Sequence, residues 1–262
     1  MRSFILVLVL LLSVSGHAST IMISDIDDTI KLAHVHKLTD SARYAIDDES
    51  RFLGMSELYN AIAVENKIDR VFYVSNAPEW LMGPTHLGLL KHGAFPVGIY
   101  FPRTVNSKTT HKIITIREIM DRVKPTKVIM VGDNGESDAK FYAQIASEYP
   151  GVEFHQYIRD VYLTSRYGGE GSMVNPGQEF FVTPIEIALS LKNAGLLSPR
   201  MTTALIQHLV PQIVNEKGRD REGVLAFPKF VECKDFVWSW DDQISIYPEL
   251  SDLKAKIEKR CD

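Results

Sequence analysis

The stretch Ile21-Met-Ile-Ser-Asp-Ile-Asp-Asp-Thr29 limits the folds open to this chain more than any other. It begins as a short apolar run of the kind that forms a buried parallel strand. It ends in Asp25, Asp27, Asp28 and Thr29. Three carboxylates at the end of a hydrophobic strand repel one another and are costly to desolvate, so a partner cation is implied. Oxygen-only ligands of that hardness suit Mg2+. The plainer alternative is a polar turn after a strand, with Asp27-Asp-Thr29 capping a helix.

Four more runs read as strands: Val71-Phe-Tyr-Val-Ser75, residues 96–101, Lys127-Val-Ile-Met-Val131 and Glu153-Phe-His-Gln-Tyr-Ile158. Residues 55–66, 79–92, 107–123 and 141–146 read as helices between them, with Gly83-Pro84 expected to kink or interrupt the second. Alternation of this kind implies a parallel sheet with right-handed crossovers, which binds ligands at the carboxyl ends of its strands. Ser75 and Asn76 close the second strand and open a helix, a natural phosphate cradle. Asp133 and Asp138 fall in a glycine-bearing turn after the fourth strand, and Lys112 lies near the start of a helix within reach. Separate weak signals thus meet at one edge. His34-Val-His36 is read as a solvated loop in preference to a transition-metal site.

A formal net charge of −4 over 262 residues, with no long basic run, argues against nucleic acid as the main partner. No stable protein partner is evident. Residues 1–18 have a positive start, an apolar centre and small residues at Gly16 and Ala18. They read as a signal peptide, the alternative being an uncleaved anchor, and imply export to a periplasm or medium. Cys233 and Cys261 are the two cysteines. In an exported chain they are expected to pair, the alternative being two free thiols. The expected organisation is a leader (1–18), a phosphate-handling core (19–165) and a mainly helical C-terminal extension (166–262). That extension is opened by a glycine-rich linker or flap between Gly168 and Gly177 and by the capping box Thr183-Pro-Ile-Glu186. Its helices are expected to 193, from 198 to 215 and from 247 to 259.

These groups form a phosphoryl-transfer set. Asp25 is placed as the nucleophile and Asp27 as the general acid and then base. Ser75, Asn76 and Lys112 would hold the phosphate oxygens. Asp25, Asp133, Asp138 and the main-chain oxygen of Asp27 would hold Mg2+, and Thr29 would fix the loop. The order resembles the haloacid dehalogenase superfamily, whose Asp-x-Asp-x-Thr motif matches Asp25 to Thr29, with Ser75, Lys112 and Gly132-Asp133 to Asp138 as the other motifs. Within it, residues 20–163 resemble the actin-patch-associated phosphatidate phosphatase family. The strings are Ser24-Asp-Ile-Asp-Asp-Thr-Ile-Lys31, Tyr73-Val-Ser-Asn-Ala-Pro78, His111-Lys112, Val131-Gly-Asp-Asn-Gly-Glu-Ser-Asp138 and Tyr157-Ile-Arg-Asp-Val161. Asn134 and Ala77 stand where that family is expected to carry Ser.

The resemblance implies a three-layer α/β Rossmannoid fold and an Mg2+-dependent phosphomonoester phosphatase with an aspartyl-phosphate intermediate. Its expected substrate is a phosphorylated lipid, phosphatidate foremost. The alternatives are small soluble phosphomonoesters and a non-catalytic module that binds phosphate or lipid. Neither residues 31–69 nor 76–112 leave room for a cap domain with its own core of ~40–50 residues. The acids are therefore expected in an open cleft.

Overall fold

The computed structural model describes residues 19–104, 107–218 and 220–262. The expected leader lies outside them. Six parallel strands form the main sheet: β1 (Thr20–Ser24), β3 (Val71–Pro78), β4 (Gly98–Arg103), β5 (Lys127–Asp133), β6 (Glu153–Arg159) and β7 (Gln178–Phe181). Their order is β4-β3-β1-β5-β6-β7, with β2 (Arg51–Phe52) and β8 (Val224–Leu225) paired apart. The helices are α1 (Leu38–Tyr44), α2 (Met55–Glu65), α3 (Glu79–His92), α4 (Lys108–Val123), α5 (Asp138–Glu148), α6 (Pro184–Asn193), α7 (Pro199–Asn215) and α8 (Leu250–Cys261).

The period of two along β1 makes the three layers. Ile21 and Ile23 face a core shared with Ile113 and Ile116 of α4 and Phe141 and Ile145 of α5. Met22 faces the opposite core, shared with Leu58 and Ile62 of α2, Ile187 of α6, Leu205 of α7 and Leu253 of α8. A central parallel strand is covered on both faces in this way, which is why it reads as an unbroken apolar run. Among the described residues, no helix is long and apolar enough to cross a membrane.

Of the kink or interruption expected at Gly83-Pro84, the interruption is not seen: α3 runs from Glu79 to His92 with Pro84 inside it. Proline removes one backbone donor there, and the burial of Met82 and Leu89 on either side outweighs that loss. The sheet also has a strand that the sequence reading did not place, since Gln178–Phe181 adds β7 beside β6. The glycine-rich segment before it is tied to the Asp133 turn: Ser172 donates from its backbone N–H to Asn134 O (2.7 Å), and from Oγ to Glu136 O (3.1 Å).

The capping box at Thr183 is formed, with Glu186 accepting from the Thr183 backbone at 2.8 Å. A disulfide joins Cys233 to Cys261 and ties the end of α8 to a buried loop. It closes a loop with a sequence separation of 28, for which chain entropy gives a contribution of roughly 3–4 kcal/mol. Replacing both cysteines with alanine should lower the unfolding free energy by about that amount in urea titrations. An unchanged midpoint would contradict it.

Candidate active site

Asp25 leaves β1 while its backbone N–H still donates to Val131 O of β5 (2.9 Å), so the sheet itself fixes its position. The chain then turns tightly, with the N–H groups of Ile30 and Lys31 both donating to Ile26 O (3.0 and 2.9 Å). Asp28 sits in this turn at φ +55°, a conformation Asp tolerates better than most residues. Its carboxylate accepts from the backbones of Ala33, His34 and Val35 (2.8–2.9 Å) and from the Tyr162 hydroxyl (2.5 Å). Asp28 therefore builds the loop.

Asp25, Asp133 and Asp138 are all buried, and their nearest carboxylate oxygens lie within 4.8 Å of one another. One cation serves them: Lys112 Nζ donates to Asp25 Oδ1 (2.8 Å) and to Asp138 Oδ1. Thr29 Oγ1 donates to Asp25 Oδ2 (3.1 Å) and lies 3.5 Å from Asp133 Oδ2. Burial, reinforced by the neighbouring acids, raises the carboxyl groups of Asp25 and Asp133 well above the usual range. Burial also raises Asp138, against the pull of Lys112. Burial would lower Lys112, but Asp138 and Asp25 hold it well above its ordinary value and keep it charged. The fit to a metal is chemical: three hard oxygen donors converge and carry more negative charge than one lysine cancels.

The Asp27 side chain turns from this cluster. His86 Nε2 lies 3.1 Å from its Oδ1, and Ser75 Oγ lies 3.4 Å from its Oδ2. Burial raises this carboxyl, but the His86 charge and hydrogen bond, with Lys31 and Lys112, outweigh it and hold Asp27 below the usual range. Asn76 donates to Glu136 Oε2 (3.1 Å) and has a buried Oδ1 with no partner, while Arg103 Nε donates to Asn76 O (2.7 Å). Of the residues singled out in the sequence, His34 and His36 do not join the metal-type cluster of acids: His34 bonds Asp40 (2.9 Å) and stacks on Phe230, and His36 Nε2 lies 2.5 Å from Gly135 O in the Asp133 turn.

His86 and Arg103 lie at this site and were passed over in the sequence, where Asn134 was named only as a departure from the family and given no role. His86 had a signal, since Met82, His86 and Leu89 follow the spacing of a buried helix face. Asn134 had none. Its side chain bonds Asp160 and Tyr162 O and accepts from the backbones of Val161 and Tyr162, at 2.7–3.1 Å.

A cleft of about 470 Å3 opens over Asp25 and Asp27. Val35, Tyr44, Ala45 and Ile46 form one wall; Ala77, Pro78, Leu81 and Met82 form the other. Asn76, Arg103 and Glu136 add a polar edge. The α1 wall is pinned by Thr85 Oγ1, which donates to Ala45 O (2.6 Å), and by Lys31 Nζ, which donates to Tyr44 O (2.7 Å). Gly88 lets Asp48 approach α3 where any side chain would collide.

The family model described as "Phosphatidate phosphatase APP1, catalytic domain" matches residues 20–160. That span contains every acid, hydroxyl and amine named above as acting on phosphate, and excludes the cysteine pair. A Schizosaccharomyces pombe protein described as uncharacterized is 29% identical over 157 residues, 53% of this chain and 25% of its own length. The phosphatidate phosphatase APP1 of Saccharomyces cerevisiae is 30% identical over 151 residues, with the same two shares. The chain thus spans about a quarter of the length of the curated relatives it matches. No solved structure matches it.

The crowded acids set a sign for stability. A carboxyl raised by folding imposes no penalty at acid pH, where it is protonated in both states. The penalty grows as pH climbs past the unfolded value and through the raised folded one. Asp133→Asn should therefore stabilise the chelator-treated protein, by about 0.5–2 kcal/mol as is common when functional strain is relieved. The gain should be larger at pH 8 than at pH 4. Equal melting temperatures at both pH values would show that the repulsion is not felt.

Proposed function

The chain belongs to the family of the phosphatidate phosphatase APP1 catalytic domain, and from that premise we propose that it is a Mg2+-dependent phosphomonoester phosphatase acting on a lipid phosphate such as phosphatidate. One observation carries the reading: the same cleft is lined by the carboxylates of Asp25 and Asp27, by Asn76 and by apolar walls. A phosphate seated against Asp25 projects its ester group between those walls, where hydrocarbon is favoured over a sugar or base.

The chemistry is a double displacement. An Asp25 carboxylate oxygen bonds to phosphorus, and the bond from phosphorus to the ester oxygen breaks with its electron pair going to that oxygen. Asp27 supplies the proton that makes the leaving group an alcohol. Water then attacks the aspartyl-phosphate, its proton passes to Asp27, and inorganic phosphate leaves with Asp25 regenerated. His86 keeps Asp27 ionised in the free protein, which suits the second half. The substrate's own negative charge raises that carboxyl on docking, which suits the first. Lys112, Ser75 and Asn76 would face the non-bridging oxygens. Asp25, Asp133 and Asp138, with the Asp27 main-chain oxygen, would hold Mg2+, which supplies further positive charge against the phosphate when bound. Export is proposed on the leader-like residues 1–18 and is supported by the disulfide.

Asp25→Asn should abolish turnover without unfolding the protein, and Asp27→Asn should lower it by about 10²–10⁴-fold. Near-normal turnover in Asp25→Asn would overturn the mechanism.

Chelation should stop activity, and Mg2+ should restore it. Restoration by Zn2+ alone would point to a different metal site.

Phosphatidate in mixed micelles should give a kcat/KM well above mononucleotides or sugar phosphates. A soluble metabolite that matched the lipid would replace this substrate with the small-molecule alternative.

A further inference from the structure

His86 is fully buried on α3 and is bonded at both ring nitrogens. Nε2 lies 3.1 Å from Asp27 Oδ1, and Nδ1 lies 2.9 Å from the Tyr100 hydroxyl on β4. The two rings meet edge to face, with centroids 5.6 Å apart. An ionised carboxylate can only accept, so Nε2 must be the donor. When the imidazole is neutral, Nδ1 is bare and accepts from the Tyr100 hydroxyl, and when it is protonated, Nδ1 donates to that oxygen; in both forms Tyr100 holds the ring and Nε2 donates to Asp27. Burial, with Asp27 and Glu79 nearby, raises the Tyr100 phenol, so the hydroxyl stays protonated and available as this partner.

This arrangement occupies one oxygen of Asp27 and leaves the other. Among the described residues Oδ2 has only the long contact to Ser75 Oγ, 3.4 Å away, and Asp27 lines the cleft. We propose that His86, backed by Tyr100, is a positioning residue that locks the Asp27 carboxyl so that Oδ2 meets the ester oxygen of the substrate. His86 acts through Asp27 and does not touch the phosphate. The inference rests on the reading of Asp27 as the acid. In the step it serves, the Asp25–phosphorus bond forms, the phosphorus–ester oxygen bond breaks, and the proton moves from Asp27 Oδ2 to the departing oxygen. His86 gains and loses no proton overall.

The test uses leaving groups of different need. An alkoxide must be protonated as it departs, whereas 2,4-dinitrophenolate leaves unaided. Comparing kcat/KM for hexyl phosphate and 2,4-dinitrophenyl phosphate isolates this half, because kcat/KM stops at the first irreversible step, release of the leaving group. His86→Phe should lose about 10–100-fold on hexyl phosphate, the usual cost of removing a group that orients a functional side chain. The same variant should lose far less on the aryl ester. His86→Gln, whose amide can donate to Asp27 and accept from Tyr100, should recover most of the loss. Tyr100→Phe should show the same selectivity in smaller degree, and it carries the test if His86→Phe does not fold. Equal losses on both esters, or none on either, would overturn the positioning role. If Asp27→Asn is itself unselective, the acid assignment fails. If Asp27→Asn is selective and the His86 and Tyr100 variants are not, only the present inference fails.

Discussion

Three buried carboxylates share one ammonium group, and much of this structure exists to hold that unfavourable arrangement together. Asp25, Asp133 and Asp138 would separate or take up protons if their backbones were free. They are not free, because Asp25 and Asp133 end adjacent parallel strands and Asp138 begins the helix after β5. Lys112 arrives from α4 on the neighbouring connection and satisfies two of the three. The doubly covered sheet thus provides rigidity, and its strand ends provide the crowding. Such an arrangement has the preorganisation that electrostatic catalysis of the proposed kind would need.

A second set of buried polar groups fixes the loops around the acids. Arg159, at the end of β6, donates to Thr29 O (3.0 Å) and Val182 O (2.6 Å), with its guanidinium between the rings of Phe52 and Phe181. Burial lowers it to about 9, yet it stays charged at neutral pH, close to Asp133 and Asp28. Through Val182 the segment beyond the family match reaches the Asp25 turn. Asn134 spends its whole side chain on joining the Asp133 turn to the loop after β6. Asp28 does the same on the other side. Asn134 and Asp28 are polar, buried and fully bonded, the condition under which a buried polar network specifies one geometry. Arg159, by contrast, leaves Nη2 without a hydrogen-bond partner among the described residues and rests its guanidinium on the two rings.

How much could be read beforehand follows from how far each feature depends on distant residues. The alternation of strands and helices is a local pattern, and it led to five of the six strands of the parallel sheet and to the edge where the site's side chains converge. Asp25, Ser75, Lys112, Asp133 and Asp138 were legible because each sits at the end of a strand or the start of a helix, where topology fixes its position. Four residues at Gln178–Phe181, between a glycine turn and a capping box, are too few to show the period of a strand. They become β7 only because β6 offers a free edge. Gly83-Pro84 misled because a local rule about proline was set against burial of the same helix. Arg159 meets Thr29 across 130 residues, and nothing near it in the chain announces the contact.

The cleft brings these strands of argument together. A chain without a cap must build substrate contacts from what its core already has, and here the material is the short segment after the Asp25 turn. Lys31, fully buried, donates to Leu32 O (3.2 Å) and Tyr44 O (2.7 Å) and makes no carboxylate contact of its own. Burial lowers this lysine, while Asp27 and the acids of the same segment oppose that. Its charge in turn helps to hold Asp27 below the usual range. One side chain therefore anchors the apolar wall at α1 and adds to the field on the acid–base group. Moving that wall moves the charge, so the surface that would select a hydrocarbon leaving group and the carboxyl that would protonate it are parts of one mechanical unit.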